Sequence, residues 1–365
     1  MVRACTQTPP PRPSPVEGQG EVSKVRINQI TPSPLAGEGR VGGSLSAAAT
    51  LVMTRTRIII DTDPGQDDAI AILLALAEAE RLDVLGITTV AGNVAVDLTT
   101  ANALRVVELA RRPDVPVFRG ASRPLLRELR TAEFICGEDG LDGAALPPPA
   151  GAAQQRHAVT FLVETLSAAA DRSVTLCLLG PLTNCALAFA QAPELTRKVE
   201  RIVLMGGARD LGNITPAAEF NFFVDPHAAH IVLNLGAPIV MFGLHATHQA
   251  MGTPERVAGI AALDTAVARA VAGMIGRPRP GGLARFGVAG HPLHDPCVVA
   301  YVLWPELFHG RDCFVAVETA GAVTLGRSTI DWWGAMKQRC NAHVIDRIDA
   351  DGFFARLTQS LAKLS

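Results

Sequence analysis

The sequence predicts an α/β domain built on a mainly parallel, doubly wound sheet, and three observations carry that expectation. From Arg57 onwards, short runs of β-branched and aliphatic residues alternate with longer stretches of helical period. The first of these runs is apolar throughout, as in strands covered by helices on both faces. Hydrophobic residues make up 48% and charged residues 19% of the 365 positions, which supplies a large core and rules out wholesale disorder.

Taken in order, RIII at Arg57–Ile60 is expected to be a buried strand, and Asp68–Ala79 a helix with apolar residues on most faces. LDVLGITTV (Leu82–Val90) is a second strand, and Leu98–Ala110 a helix with Leu104, Val107 and Leu109 on its buried side. Further strands are expected at Val115–Phe118, Val174–Leu179, Arg201–Met205 and Pro238–Phe242, with helices between them. The last third reads as helices Asp264–Ile275 and Asp295–Leu303, strands near Cys313–Val317 and Ala342–Ile345, and a closing helix near Asp351–Leu364. No linker interrupts residues 54–365, so this stretch is expected to be one domain, with ligands bound beyond the carboxyl ends of its strands.

Residues 1–53 differ in kind, being rich in Pro, Gly and Ser without a sustained period, and read as a disordered tail. An imperfect repeat, Pro13–Val22 and Pro32–Val41, has no apolar anchors on which to stack. The simplest expectation is an over-called translation start, with Met53 as the true one. Ser44–Met53 is followed at once by a charged TRTR and a strand, which argues against a signal peptide. A formal charge of −2 gives no footprint for nucleic acid or anionic membrane, and no run approaches the roughly 20 apolar residues of a membrane helix. Seven scattered cysteines with no C-x-x-C pair argue against a disulfide framework and for a reducing, cytoplasmic setting.

The chemistry concentrates after the first strand, where DTDPGQDD places Asp61, Asp63, Asp67 and Asp68 within one short segment. A turn at Pro64-Gly65 and a helix N-terminus that favours negative charge account for one or two of these acids. Four acids would raise one another's pKa unless a cation or donors offset this, and carboxylate oxygens suit Ca²⁺ or Mg²⁺ rather than zinc. Three further segments hold polar groups that such a site could use: GPLTN (Gly180–Asn184), NITPAAEFN (Asn213–Asn221) and HDPC (His294–Cys297). Singly, each has an ordinary reading as a turn, a solvated loop or a capped helix.

Together, DTDPGQDDAIAILLAL, TTVAGN (Thr88–Asn93), GPLTN, MGG…AEFN (Met205–Asn221) and HDPC, in this order, resemble the inosine-uridine nucleoside hydrolases, calcium-dependent ribohydrolases. The likeness spans about 57–360 and implies a sheet of the nucleoside hydrolase type. It also implies a ribonucleoside substrate, a role in nucleoside salvage and a homodimer or homotetramer. By the same resemblance Asp63, Asp68, Asp295 and the carbonyl of Leu179 hold Ca²⁺, Asp63 activates the attacking water, and His294 assists the leaving base. Asp67, Asn93, Asn213, Glu219, Phe220 and Asn221 correspond to the sugar-binding set, and Asp61 supports the metal ligands. In one place the chain departs from the pattern. ICGEDGLDG (Ile135–Gly143) has Cys136 where the family commonly has a histidine of the nucleobase pocket. Cys136 is thus a substrate-binding position with an altered side chain, or a small apolar residue of the core.

Two other classes compete. Haloacid-dehalogenase-type phosphatases also place D-x-D after a first strand, but here Pro64-Gly65 follows Asp63. A nucleoside-binding protein without turnover is the third reading, suggested by Cys136.

Overall fold

The computed structural model describes residues 55–276 and 290–364. The expected tail, residues 1–53, lies outside the described residues. Eleven strands are present among them: β1 (Thr56–Thr62), β2 (Leu82–Thr89), β3 (Val117–Arg119), β4 (Val174–Leu178), β5 (Val199–Met205), β6 (Ile239–Phe242), β7 (Met251–Gly252), β8 (His291–Pro292), β9 (Phe308–Val317), β10 (Ser328–Asp331) and β11 (Ala342–Ile348). Nine form one sheet in the order β10-β9-β11-β6-β5-β4-β1-β2-β3. Strands β1 to β6 and β11 run parallel, while β9 is antiparallel to both of its neighbours. The expected parallel, doubly wound sheet is therefore present, and its strand order reverses between β1 and β4, where such sheets open a crevice for ligands.

Alternation along β1 shows how both faces are filled. Ile58 and Ile60 point into one core layer with Ile70, Ile72 and Leu73 of the helix Gln66–Ala77. Ile59 points into the other, with Phe161, Leu176, Leu178 and Phe189. The helix Gln66–Ala77 is buried continuously from Asp68 to Leu76, as its apolar residues on most faces required. Its C-terminal end is fastened by Glu78, whose Oε1 accepts from Ser360 Oγ and Lys363 Nζ, both at 2.6 Å, on the final helix, Ala350–Leu361, and just beyond it.

Several element boundaries differ from the expectation. The first helix begins at Gln66 and not Asp68, because Gly65 supplies the extended residue before it. The second helix spans Val96–Leu109 and buries Val96, Ala103, Val106 and Val107, while Leu104 and Leu109 only flank the core. The helix expected at Asp264–Ile275 is present as Ala266–Gly276, and a further helix not expected, Pro254–Ala261, precedes it, the two parted near Asp264, which takes a φ of 51°. Strand β10 was not anticipated.

Candidate active site

At its carboxyl end β1 delivers Asp61, Thr62 and Asp63, then turns through Pro64 and Gly65 into the helix that carries Asp67 and Asp68 in its first turn. Asp68 caps that helix: its Oδ2 accepts from Gly65 N at 3.0 Å and its Oδ1 from Thr62 Oγ1 at 2.5 Å. The capping account covers Asp68 and leaves Asp63 and Asp67 unexplained. Asp67 reaches across the pocket, and its Oδ2 accepts from the backbone N of His294 at 3.2 Å and of Asp295 at 3.5 Å. Oxygens of Asp67, Asp68 and Asp295 lie within 4.8 Å of one another.

Asp63 is not one of those three but stands beside them, at the mouth of the crevice between β1 and β4. Its Oδ2 accepts from Asn93 N at 2.7 Å, and the Asn93 amide donates to Asp63 O at 3.1 Å and Asp68 Oδ2 at 3.2 Å. Two glycines make room for it. A Cβ at Gly92 would lie 2.1 Å from Asp63 Oδ2, and one at Gly180 would lie 2.3 Å from Oδ1. The glycines of TTVAGN and GPLTN are thus explained by close packing on this carboxylate.

The electrostatics follow from burial and from crowding of like charges. Burial raises the pKa of Asp63 well above the carboxylate range, and the charge of Asp68 adds to it. Asp68 is pushed to about 6 by burial and then by Asp67. Asp295 is raised by burial, then by Asp67 and Asp68, and its carboxyl group shares a hydrogen bond with that of Asp68. Asp61, one strand position pair back, is pushed to about 6 by burial, although Thr88 Oγ1 and Asn184 Nδ2 both donate to its Oδ1. Its Oδ2 has no hydrogen-bond partner among the described residues. The described lining of the pocket holds no Lys or Arg to offset these acids. Such a donor set fits a hard divalent cation bound by oxygen, Ca²⁺ or Mg²⁺.

The opposite wall comes from β4, β5 and the short helix Phe220–Val224. The carbonyl of Leu179 lines the pocket and accepts from Asn221 Nδ2 at 2.7 Å; the same amide donates to Met205 O at 3.1 Å. Glu219 caps the helix: Oε1 accepts from Asn221 N, while Oε2 accepts from Gly207 N and Phe222 N. Burial nonetheless raises Glu219 to about 7. Asn213 Oδ1 accepts from Phe220 N at 2.9 Å, which sets the loop against the helix. Cys136 closes the third side. It lines the pocket and is 4% exposed, packed with Val94, Ala132 and Phe220, so the pocket position and the packed apolar residue are one and the same. Its Sγ donates to Ala132 O at 3.1 Å, and burial pushes the thiol up to about 12.

The residues singled out in the sequence line this one pocket, except Asp68, whose carboxylate adjoins those of Asp67 and Asp295, and Asp61, which is bonded to Thr88 and Asn184. Sequence reasoning missed Gln66, Ile135, Met205 and Ile214, which also line it. It also missed Thr247, whose Oγ1 lies 2.7 Å from His294 Nδ1 and fixes the imidazole's orientation. Gln66 was within reach, since it sits inside the acidic motif; nothing in LHATHQ marks Thr247.

A parallel sheet with an acidic, oxygen-rich pocket at its reversal point, faced by a histidine, has the make-up of an enzyme site built for a hard cation. The defining pattern of the inosine-uridine preferring nucleoside hydrolases matches residues 58–355, and the chain belongs to that family. It is 48% identical over 310 residues to a pyrimidine-specific ribonucleoside hydrolase, RihA, of Shewanella sp. strain MR-7, covering 84% of this chain and 96% of that one. An uncharacterised protein of Schizosaccharomyces pombe is 46% identical over 309 residues, 84% of this chain and 99% of its own. Among solved structures, a purine-preferring ribonucleoside hydrolase from Gardnerella vaginalis superposes with a TM-score of 0.78 at 29% identity, over 84% of this chain and 98% of that chain. A plant nucleoside hydrolase gives 0.76 at 30%, over 85% and 99%. The enzyme is accordingly an N-glycosidase that hydrolyses ribonucleosides.

Proposed function

We propose that the enzyme cleaves pyrimidine ribonucleosides to free base and ribose, with Asp63 as the base toward water, His294 as the proton donor to the departing nucleobase, and Ca²⁺ as the bound metal. The observation that carries this reading is the convergence of Asp63, Asp67 and Asp295 with His294 in one pocket, with Asp68 against Asp67 and Asp295. The pyrimidine preference is supported by the curated relatives at 47–48% identity, which are named for it.

Asp63, Asp68, Asp295 and the Leu179 carbonyl would hold the metal, and Asp67 is close enough to Asp68 and Asp295 to join them. Bound there, Ca²⁺ supplies a fixed positive charge that chelates sugar hydroxyls and acidifies water. Asp63 would take the proton from a water that the cation acidifies, its own carboxylate kept ionised by the same cation. Asn93 holds that carboxylate still through its backbone N–H. On the far wall Asn213, Glu219, Phe220 and Asn221 shape the sugar's side of the pocket. Cleavage of an N-glycosidic bond leaves an oxocarbenium-like sugar and a poor leaving group, so a proton donor at the base is required. His294 is in the pocket, oriented by Thr247.

The test is a panel of uridine, cytidine, inosine and adenosine, assayed for ribose release with Ca²⁺ and after exhaustive chelation. Pyrimidines are expected to lead, chelation to abolish release, and Ca²⁺ to restore it better than Zn²⁺. Ribose release unchanged after verified metal removal would overturn the metal-assisted reading. Binding of nucleosides with no release at all would replace it with a binding protein.

A further inference from the structure

Asn102 sits in the helix Val96–Leu109, does not itself line the pocket, and has a fully buried side chain. Its amide Nδ2 donates to two carbonyls from different parts of the chain: Pro64 O at 3.0 Å, in the acid turn, and Asp139 O at 2.6 Å, in the loop that follows Cys136. Its Oδ1 accepts from Arg105 Nη1 at 3.1 Å, and that guanidinium reaches the Asp139 carboxylate at 3.4 Å. Both donor hydrogens of the amide are therefore committed to the two segments, and its oxygen to Arg105 of the same helix.

From these contacts we propose that Asn102 is a positioning residue that sets the spacing between the acid turn and the Ile135–Cys136 wall of the pocket, and through it the choice among nucleobases. The proposal rests on the hydrolase reading above and deepens it. The span is short and tight. Gly140, at φ 86°, passes so close that a Cβ there would lie 2.9 Å from Asn102 Nδ2 and 3.3 Å from Pro64 O. The loop is tied back to the pocket wall by Asp142 N donating to Cys136 O at 3.0 Å, and to the acid turn again by Gln66 Nε2 donating to Asp142 O at 2.5 Å.

The two ends of the span are not equally secured without it. The acids keep their own supports, from Asn93, Thr62 and Gly65. The wall keeps Ala132 N on Asn93 O, the turn Ala132–Cys136, the Gln66 contact and the packing of Ala132 and Cys136 on Val94 and Phe220, none of which ties the Asp139–Gly140 stretch directly to Pro64. Loss of the span thus displaces the wall while the acids stay in place. An apolar residue at 102 would fill the space and hold neither carbonyl.

The experiment uses the full-length enzyme with Ca²⁺ and compares Asn102→Asp and Gly140→Ala with the wild type on uridine and inosine. Asn102→Asp replaces the donor by an acceptor facing two carbonyls, and Gly140→Ala forces the loop away from the other side. Each is expected to raise KM and to change the uridine-to-inosine ratio of kcat/KM by about tenfold or more, in the range by which supporting hydrogen bonds act on a site. The affinity for Ca²⁺, read by calorimetry, should change less than threefold. A merely structural asparagine would lower the melting temperature and the active fraction but leave KM and the ratio as they were. An unchanged ratio in either soluble variant overturns the proposal, and if Asn102→Asp fails to fold, Gly140→Ala decides alone. A wild-type enzyme that releases ribose from neither nucleoside would overturn the hydrolase reading itself, and the span's assigned role with it, before any variant is made.

Discussion

Replacing Glu219 by glutamine should weaken the fold by an amount that depends on pH in a definite direction. Both carboxyl oxygens accept from backbone N–H groups, of Gly207, Asn221 and Phe222. A glutamine can present one oxygen, so its NH₂ must meet at least one buried N–H head on, at a cost of about 1–3 kcal/mol at every pH. Ionisation adds a second effect. Burial raises the pKa of Glu219 from 4.5 to about 7 against the pull of those donors. The folded state therefore binds this proton more tightly than the unfolded chain does. The resulting stability is fully present below about pH 4.5 and is lost as pH rises through about 7. At about 1.4 kcal/mol per pH unit, the loss is about 3 kcal/mol. Urea unfolding of both proteins with chelator, from pH 4.5 to 8, reads it directly, since the acid cluster titrates in both and cancels in the difference. The wild type should lead at low pH, and its lead should shrink or reverse by pH 8. A lead that stays constant or grows with pH would refute the reasoning, because it would mean that the backbone donors outweigh burial.

Asp63→Asn should lower kcat by about 10²–10⁴-fold, the usual contribution of a positioned base, with ribose release as the measure and circular dichroism showing that the fold survives. Activity within threefold of wild type would remove Asp63 from the chemistry. His294→Ala should cost about 10²–10⁴-fold on uridine and far less on an activated aryl riboside, which departs without a proton; equal losses on both would make His294 a sugar contact or a structural residue. Cys136→His should alter the nucleoside ratio and, because the thiol is packed against Val94, Ala132 and Phe220, lower stability by about 1–3 kcal/mol. A lowered melting temperature with the ratio unchanged would place base recognition elsewhere.

The fold was readable wherever a strand was long and apolar. Ile58–Ile60 and VTLCLL are buried throughout and LDVLGITTV is buried from Gly86 onwards, as suits strands of a covered parallel sheet. Boundaries failed where the deciding signal was a single residue. Thr253-Pro254 announces a helix, with Thr253 Oγ1 accepting from Arg256 N, and that signal was present and passed over. Strand β10 has four residues and only Ser328 fully buried, too little pattern to separate it from a loop. If Cys136 is only a core residue, the sequence offers the stretch Arg277–His291 for base recognition instead, and its residues 277–289 lie outside the described residues. In the site, the acids were legible because four carboxyl groups in eight residues demand an explanation. Thr247 and Asn102 were not, because a hydroxyl or amide acquires meaning only from a partner distant in sequence.

The pocket divides the reaction's demands unequally between its walls. Proton donation to the departing base needs a group that holds a proton near neutral pH and can release it. Cys136 holds its proton up to about 12, so it stays a neutral thiol and gives nothing up. Glu219 has a suitable pKa, but both of its oxygens face backbone N–H groups. Asp63, Asp67 and Asp295 belong to the crowded acids, whose charge a cation would stabilise in the ionised form. Among the described residues that line the pocket this leaves His294, an imidazole whose ordinary pKa is near neutral. In the proposed mechanism, with cysteine in place of a second histidine, leaving-group assistance would fall on His294 alone, and its hydrogen bond with Thr247 would be correspondingly important. The enzyme should therefore discriminate among nucleosides by how readily the base departs, more than an enzyme with two donors would.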